Sequence, residues 1–131
     1  MKPLPNDTSV LLTESDPESF EVINRGAGAH LLLVCDHASN QVPKALNHLG
    51  LDQETFDRHV AYDIGAAGVT RGLSERLDAQ AVLAGYSRLV IDVNRPPGHP
   101  DSIVPENDGI DVPGNKDMTD EGRRQRVREV F

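Results

Sequence analysis

The chain has 131 residues and a formal net charge of −8, with 37% hydrophobic residues, three Phe, two Tyr and no Trp. This length suffices for one domain with a real core, which must be built mainly from Leu, Val, Ile and Ala. The acidic balance argues against a nucleic-acid backbone or an anionic membrane as a partner. No apolar run is long enough to span a bilayer, and no signal-peptide apolar region is present. A single cysteine cannot form an internal disulfide, which predicts a cytoplasmic protein.

The first 19 residues are polar and contain three prolines, which predicts a loosely held N-terminal extension over residues 1–19. The α/β domain is expected over residues 20–131. Its first strand is predicted over residues 20–24, where apolar and polar residues alternate, and the glycines at 26 and 28 predict a turn.

A run of four apolar residues over 31–34 predicts a strand buried on both faces at the centre of the sheet. The residues that follow can ligate a metal or form hydrogen bonds: Cys35, Asp36, His37, Ser39 and Asn40. Open α/β sheets often place a site at the C-terminal end of such a strand. His37 and Asn40 could instead only satisfy loop backbone groups. A second polar cluster further along the chain favours a site.

Helical patterns occupy the middle of the chain. Pro43 can open a short helix over residues 44–49, and Asp52 can cap a helix that runs to about residue 59 or 62. A longer helix is predicted over residues 64–77, after Asp63, with the apolar contacts supplied by Val69, Leu73 and Leu77.

Strands are predicted over residues 79–84 and 88–93, and a proline-rich stretch ends the second of them. Residues 101–116 are rich in Pro, Gly, Asn and Asp, which predicts a long loop. A helix capped near Thr119 is expected over residues 123–131.

The second polar cluster contains Arg88, Asp92, Asn94 and Arg95. In an extended strand Arg88, Asp92 and Asn94 point to one side and Arg95 to the other. Guanidinium groups bind carboxylates in a planar, bidentate manner, so this strand end could hold a substrate carboxylate. A structural ion pair between Arg88 and Asp92 is about as compatible with the pattern. The combination with His37 favours one shared site at neighbouring strand ends.

Three motifs occur in order along the chain: Val-Cys-Asp-His-Ala-Ser-Asn-Gln-Val-Pro at 34–43, His59-x-x-x-Asp63-x-Gly65-Ala66, and Tyr86-Ser87-Arg88 followed by Asp92-Val93-Asn94-Arg95-Pro96. Together they resemble the N-formylglutamate amidohydrolase family, which is similar to the zinc carboxypeptidase and aspartoacylase superfamily. The resemblance implies a three-layer α/β/α sandwich with a mixed sheet, like that of the zinc exopeptidases. It also implies zinc-dependent cleavage of an amide bond in an N-acylated small molecule that bears a carboxylate.

The resemblance also implies residue roles. His37 matches the first metal ligand. Asp63 or Asp36 could supply a carboxylate ligand, and Asp63 ranks first because it belongs to a family motif. Asn40 stands where the peptidase relatives carry a glutamate and is the weaker third candidate ligand. Arg88 resembles the arginine near the scissile carbonyl, and the pair Asn94 and Arg95 resembles the residues that hold the substrate carboxylate.

The later histidine and glutamate of the superfamily have no match after Arg95, where only His99 remains. The chain therefore resembles the N-terminal half of such a domain, ending within the helix that begins near Thr119. Two functions follow: a metal-dependent amidohydrolase, or a non-catalytic fragment that retains a carboxylate-binding pocket. We expect the isolated chain to bind zinc weakly and to self-associate through an unprotected sheet edge.

Overall fold

In the computed structural model, which describes residues 10–131, three strands form a small mixed sheet. They are β1 (Phe20–Ile23), β2 (Leu32–Cys35) and β3 (Gln80–Ala84). The central strand is β3, which pairs antiparallel with β1 and parallel with β2. The predicted mixed α/β fold is therefore confirmed, but β2 lies at an edge of this sheet and not at its centre.

The helix α2 (Ala66–Leu77) covers one face of the sheet. Its Ala66 and Ala67 pack against a small core formed by Cys35, Ala81 and Leu83. The predicted apolar stripe of Val69, Leu73 and Leu77 is wrong, because all three side chains are exposed. The face toward the sheet also buries the hydroxyl groups of Thr70 and Ser74, which donate to backbone carbonyls.

Burial of β2 on both faces is also a wrong prediction. Leu32 is 55% exposed and Val34 is 70% exposed. Successive side chains of a strand point to opposite faces, and these two point away from the face that carries Cys35 and α2. Within residues 10–131 that opposite face lacks a covering layer.

A larger core lies outside the sheet, in a part of the chain with little regular structure. We call residues 42–61 and 86–131 the loop-rich body. Its helices and strands are two 3₁₀ helices (Lys44–Gly50 and Pro113–Asn115), α1 (Gln53–Phe56), the hairpin strands β4 (Glu106–Asn107) and β5 (Ile110–Asp111), and α3 (Asp120–Glu129). Its fully or almost fully buried residues include Leu49, Phe56, Leu89, Val90, Ile91 and Val112.

Several local predictions for this body need correction. Residues 44–50 form two short 3₁₀ turns separated by a kink, in which Asn47, His48 and Leu49 have left-handed φ values of 48°, 52° and 55°. The helix after Asp52 ends at Phe56, and the expected long loop contains a hairpin and a 3₁₀ turn. Both predicted caps are correct: Asp52 accepts from the Thr55 N–H and Thr119 from the Gly122 N–H.

The segment 88–93, predicted as a strand, consists of turns. The Val90 N–H donates to the Ser87 carbonyl at 2.9 Å, and the Asp92 N–H donates to the Ser102 carbonyl at 2.7 Å. These hydrogen bonds take the place of the backbone pairing that a strand would form with a neighbouring strand. Leu89, Val90 and Ile91 are all buried in the loop-rich body, although consecutive residues of a strand point to opposite faces, so the pattern does not reflect a sheet with one exposed face.

A buried arginine of α3, Arg126, also holds the backbone of the segment 88–93 in place. Arg126 of α3 is only 3% exposed, and its Nη1 donates to the Val90 carbonyl at 2.8 Å and to Asn115 Oδ1 at 2.6 Å. The Asn115 amide in turn donates to the Leu89 carbonyl at 2.8 Å. Burial lowers the pKa of Arg126 to about 10, so the side chain is still charged at neutral pH. The backbone before Asp92 is therefore held by a network of side chains.

Of the predicted N-terminal extension, residues 1–9 lie outside the described part of the chain. Residues 11 and 12 contact the loop-rich body, since the N–H groups of Leu11 and Leu12 donate to Glu129 Oε2 at 2.7 and 2.8 Å. Leu11 itself is buried in the larger core.

Candidate active site

His37 lies two residues after the end of β2, at the junction between the sheet and the loop-rich body. Its side chain is buried, and its φ of 52° places a non-glycine residue in the left-handed region. Seven other non-glycine residues of the described chain also have a positive φ, so this conformation alone does not mark a site. The local backbone turns sharply after the strand and directs the imidazole into the loop-rich body.

Asp92 is the strongest partner of His37. Its Oδ1 lies 2.6 Å from His37 Nε2, and both side chains are buried. The same oxygen accepts from the Asn94 N–H at 2.9 Å. A carboxylate in this position fixes the orientation of the imidazole ring, and the other ring nitrogen, Nδ1, can then contact a second partner.

The other ring nitrogen of His37 faces Asp63. The distance from Nδ1 to Asp63 Oδ2 is 3.3 Å, and the Asp63 N–H donates to the His37 carbonyl at 2.9 Å. This backbone bond places Asp63 beside His37, although 26 residues separate them in sequence.

Arg88 connects the two carboxylates. Its Nη1 lies 3.4 Å from Asp63 Oδ1 and its Nη2 lies 3.6 Å from Asp92 Oδ2. Both distances are long, so the guanidinium group keeps donor capacity for a ligand. We refer to His37, Asp63, Arg88 and Asp92 as the four-residue cluster.

The two candidate substrate residues lie at the edge of this cluster. Asn94 and Arg95 are both exposed, and Arg95 lines one pocket with Arg88 and Asp92. The acidic residues Asp101, Glu106 and Asp108 line it too. A ligand carboxylate in this pocket would share Arg88 with Asp63 and Asp92, which already contact its guanidinium group.

A family model for N-formylglutamate amidohydrolase matches residues 29–131. The chain belongs to the N-formylglutamate amidohydrolase family. All members of the four-residue cluster lie within the matched range, as do Asn94 and Arg95. The resemblance suggested by the three sequence motifs is thereby confirmed, and hydrolase activity is the activity of the family.

A solved structure shares the fold of this family member. The crystal structure of a gene product from Agrobacterium tumefaciens is similar to it, with 37% sequence identity and a TM-score of 0.89. The match covers 92% of this chain and 48% of the other, so the chain spans about half the length of that neighbour. The comparison with curated proteins found no match.

Two of the three predicted metal ligands, His37 and Asp63, lie beside one another. Neighbouring ligands of a tetrahedral zinc ion, each about 2.1 Å from the metal, lie about 3.4 Å apart. The 3.3 Å between His37 Nδ1 and Asp63 Oδ2 is close to that separation, and it is also the distance of a direct hydrogen bond or ion pair between the two side chains. Among the described residues, however, no group of three His, Cys, Asp or Glu side chains forms a metal site.

The contacts of Asn40, the third predicted ligand, lie elsewhere. Its amide nitrogen donates to the Phe56 carbonyl at 3.0 Å, and its side chain lines a different pocket together with His48 and Phe56. The remaining histidines of the motif regions are paired on the surface, His59 with Asp108 and His99 with Asp101. These contacts give no support to Asn40 as a ligand.

Asp92 is the partner of His37 that the sequence analysis did not identify. The pattern offered only its ion pair with Arg88. The sequence does contain a carboxylate, Asp92, two residues before Asn94. A metal-binding histidine usually bonds such a group through its other ring nitrogen, which is the signal that could have identified this contact.

Between residues 10 and 131, no helix has the length and apolar character needed to cross a membrane.

Proposed function

We propose that the four-residue cluster is the catalytic end of an amidohydrolase site for small N-acylated molecules that carry a carboxylate. The observation behind this proposal is the bond between His37 Nε2 and Asp92, which leaves His37 Nδ1 opposite Asp63 at 3.3 Å. His37 and Asp63 would hold a zinc ion there. When bound, zinc polarises the acyl oxygen and lowers the pKa of a coordinated water.

The residues of the chain have distinct tasks in this proposal. Asp92 keeps the His37 ring in one orientation. Arg88 donates to the negative charge that develops on the scissile oxygen, where a preformed donor contributes most. Arg95, with Asn94 beside it, binds the substrate carboxylate and orients the amide bond. The single buried Cys35 is compatible with a reducing, cytoplasmic setting, and the complete domain would be a three-layer sandwich.

A second function is favoured by the same contacts. Only two residues of the described chain fit a zinc ion, whereas a catalytic zinc site normally has three protein ligands. A module that binds an acylated amino acid through Arg95 without cleaving it needs no complete metal site. This alternative makes the same prediction for Arg95 and a different one for Arg88.

The test measures zinc binding, hydrolysis of N-formyl-L-glutamate and calorimetric binding of that substrate, for the 131-residue chain and for a longer, active form of the protein. The kcat and KM of each variant are compared in the longer form. Arg95→Ala should weaken binding tenfold or more, which corresponds to about 1.4 kcal/mol. Arg88→Ala should lower kcat by roughly 10²–10³ with a small effect on KM, because oxyanion stabilisation acts in the transition state. His37→Ala should abolish the weak zinc affinity of the chain.

Arg124→Ala is the matched control for both arginine variants, because Arg124 is exposed and pairs only on the surface of α3. His59→Ala, at an exposed histidine, is the control for zinc. Binding without hydrolysis would support the non-catalytic alternative. Neither binding nor hydrolysis, or an Arg95→Ala variant that binds like the unaltered protein, would contradict both functions.

A further inference from the structure

Ser87 lies where the three sequence motifs of the chain meet. It belongs to the third motif and is completely buried. Its N–H donates to the Gln41 carbonyl of the first motif at 2.8 Å, and its Oγ–H donates to the Ala61 carbonyl of the second motif at 2.7 Å. One residue therefore bonds the backbone of both other motifs.

The hydroxyl group of Ser87 is used both as a donor and as an acceptor. Besides donating to the Ala61 carbonyl, Oγ accepts from the Leu89 N–H at 3.2 Å. A serine hydroxyl has one proton to donate, and here a backbone carbonyl takes it. Because this hydroxyl is buried and its proton is engaged, any effect of Ser87 on a reaction must pass through the residues that it holds.

Two members of the four-residue cluster are connected to this hydroxyl through the backbone. Ala61 lies two residues before Asp63, and its carbonyl also accepts from the Arg88 N–H at 3.1 Å. The bonds from Ser87 and Arg88 thus join the segment before Asp63 to the segment that carries Arg88. On the other side, the Asp63 N–H donates to the His37 carbonyl at 2.9 Å, so backbone bonds hold Asp63 from both directions.

Another buried serine makes the same kind of bond in a different part of the fold. Ser74 of α2 is 2% exposed, and its Oγ–H donates to the Ala79 carbonyl at 2.6 Å. This bond closes the connection between α2 and β3. Among residues 10–131, no hydrogen bond links Ser74 or Ala79 to the four-residue cluster. Ser74 is therefore a matched example of a serine with a structural role alone.

We propose that Ser87 is a positioning residue of the site, which holds Asp63 and Arg88 in place relative to each other. This inference rests on the proposed function, which assigns both residues to the catalytic end of the site. Without the hydroxyl, the Ala61 carbonyl keeps only its bond from Arg88, and the Leu89 N–H loses its acceptor inside the core. The two segments can then shift, and a displacement of about 1 Å in a catalytic group can cost roughly 10²-fold in rate.

The experiment compares Ser87→Ala with Ser74→Ala in the longer, active form of the protein and in the 131-residue chain. Both changes should lower the midpoint of urea unfolding, because each removes a buried hydroxyl that donates to a backbone carbonyl. In the longer form, Ser87→Ala should lower kcat for N-formyl-L-glutamate roughly 10- to 10²-fold with little change in KM, whereas Ser74→Ala should leave both unchanged. In NMR spectra of the 131-residue chain, the imidazole nitrogen resonances of His37 should shift in Ser87→Ala and stay in place in Ser74→Ala.

Ser87→Cys is the second variant should Ser87→Ala fail to fold, since a thiol is a weaker donor than a hydroxyl. It should show the same changes to a smaller extent. The proposal is overturned if Ser74→Ala has the same effects as Ser87→Ala, or if a folded Ser87 variant leaves either kcat or the His37 resonances unchanged. If the unaltered longer form does not cleave the substrate, the proposed function fails, and the His37 resonances of the two variants still decide whether Ser87 positions the cluster.

Discussion

The loop-rich body and the three-stranded sheet bury their apolar residues to very different extents. Val90, in a segment of turns, is completely buried, whereas Val34, in the regular strand β2, is 70% exposed. The body closes its core with hydrogen bonds between side chains and backbone, such as those of Arg126 and Asn115. The sheet has α2 on one face and an open apolar surface on the other.

This difference shows that regular secondary structure and burial are separate properties in this chain. A strand satisfies its backbone through its neighbour, but it buries its side chains only where another layer covers them. The candidate site joins both regions, because His37 follows β2 and Asp92 belongs to the body. Side-chain hydrogen bonds of the body thus hold the backbone before Asp92, while His37 follows an edge strand whose side chains Leu32 and Val34 are exposed.

The largest effect is expected when the buried arginine is replaced. Arg126→Met removes the donor for the Val90 carbonyl, the Gly114 carbonyl and Asn115 Oδ1, and leaves these acceptors inside the core. Bonds from a charged donor to buried acceptors are worth more than average, so the free energy of unfolding should fall by roughly 2–4 kcal/mol. Urea denaturation followed by circular dichroism measures the loss.

Arg124→Met is the control for this change, because Arg124 lies on the same helix and pairs with Glu121 in solvent. Its loss should cost less than about 1 kcal/mol. Equal losses for the two variants would mean that the Arg126 network does not stabilise the loop-rich body.

A matched pair of valines tests the comparison directly. Val90→Ala removes two methyl groups from a completely buried position and should cost roughly 2 kcal/mol, including the cavity it leaves. Val34→Ala removes the same atoms from an exposed position of β2 and should change the free energy of unfolding by less than about 0.5 kcal/mol. Denaturation under the same conditions compares them, and a costly Val34→Ala would show that β2 is covered in solution.

The fold was predictable from sequence where local chemistry decides it. The strands β1 and β3, the helix α2 and the caps at Asp52 and Thr119 have local signals, and the structure contains all of them. The strand predicted over 88–93 failed because apolar and polar residues also alternate in a buried segment whose backbone bonds to side chains. The predicted burial of β2 failed because burial requires a covering layer, which a strand's own sequence does not contain.

The sequence predicted most of the residues of the candidate site, but not all of the contacts between them. His37, Asp63 and Arg88 were expected near one another, and the structure places them within hydrogen-bonding or ion-pair distance. The bond from Asp92 to His37 joins residues 55 positions apart, through a turn that sequence patterns described as a strand. Such a contact depends on the tertiary path of the chain, which the Arg126 network helps to fix.

The smallest effect is expected at the surface pair that joins the sheet to α2. Arg71 donates to both oxygens of Glu21, and this hydrogen bonding lowers the pKa of Glu21 below its ordinary value of 4.5. A carboxyl whose pKa is lowered on folding stabilises the protein above its unfolded pKa, and this contribution disappears as the pH falls through the folded pKa. Both side chains are about half exposed, so solvent screening limits the contribution to roughly 0.2–1 kcal/mol. Glu21→Gln should therefore lower the free energy of unfolding slightly at pH 7, with the difference shrinking under acid conditions, where Glu21 is protonated.

Glu75→Gln, at an exposed position of α2, is the control. A Glu21→Gln loss as large as that of Arg126→Met would contradict the distinction between a buried arginine network and an exposed ion pair.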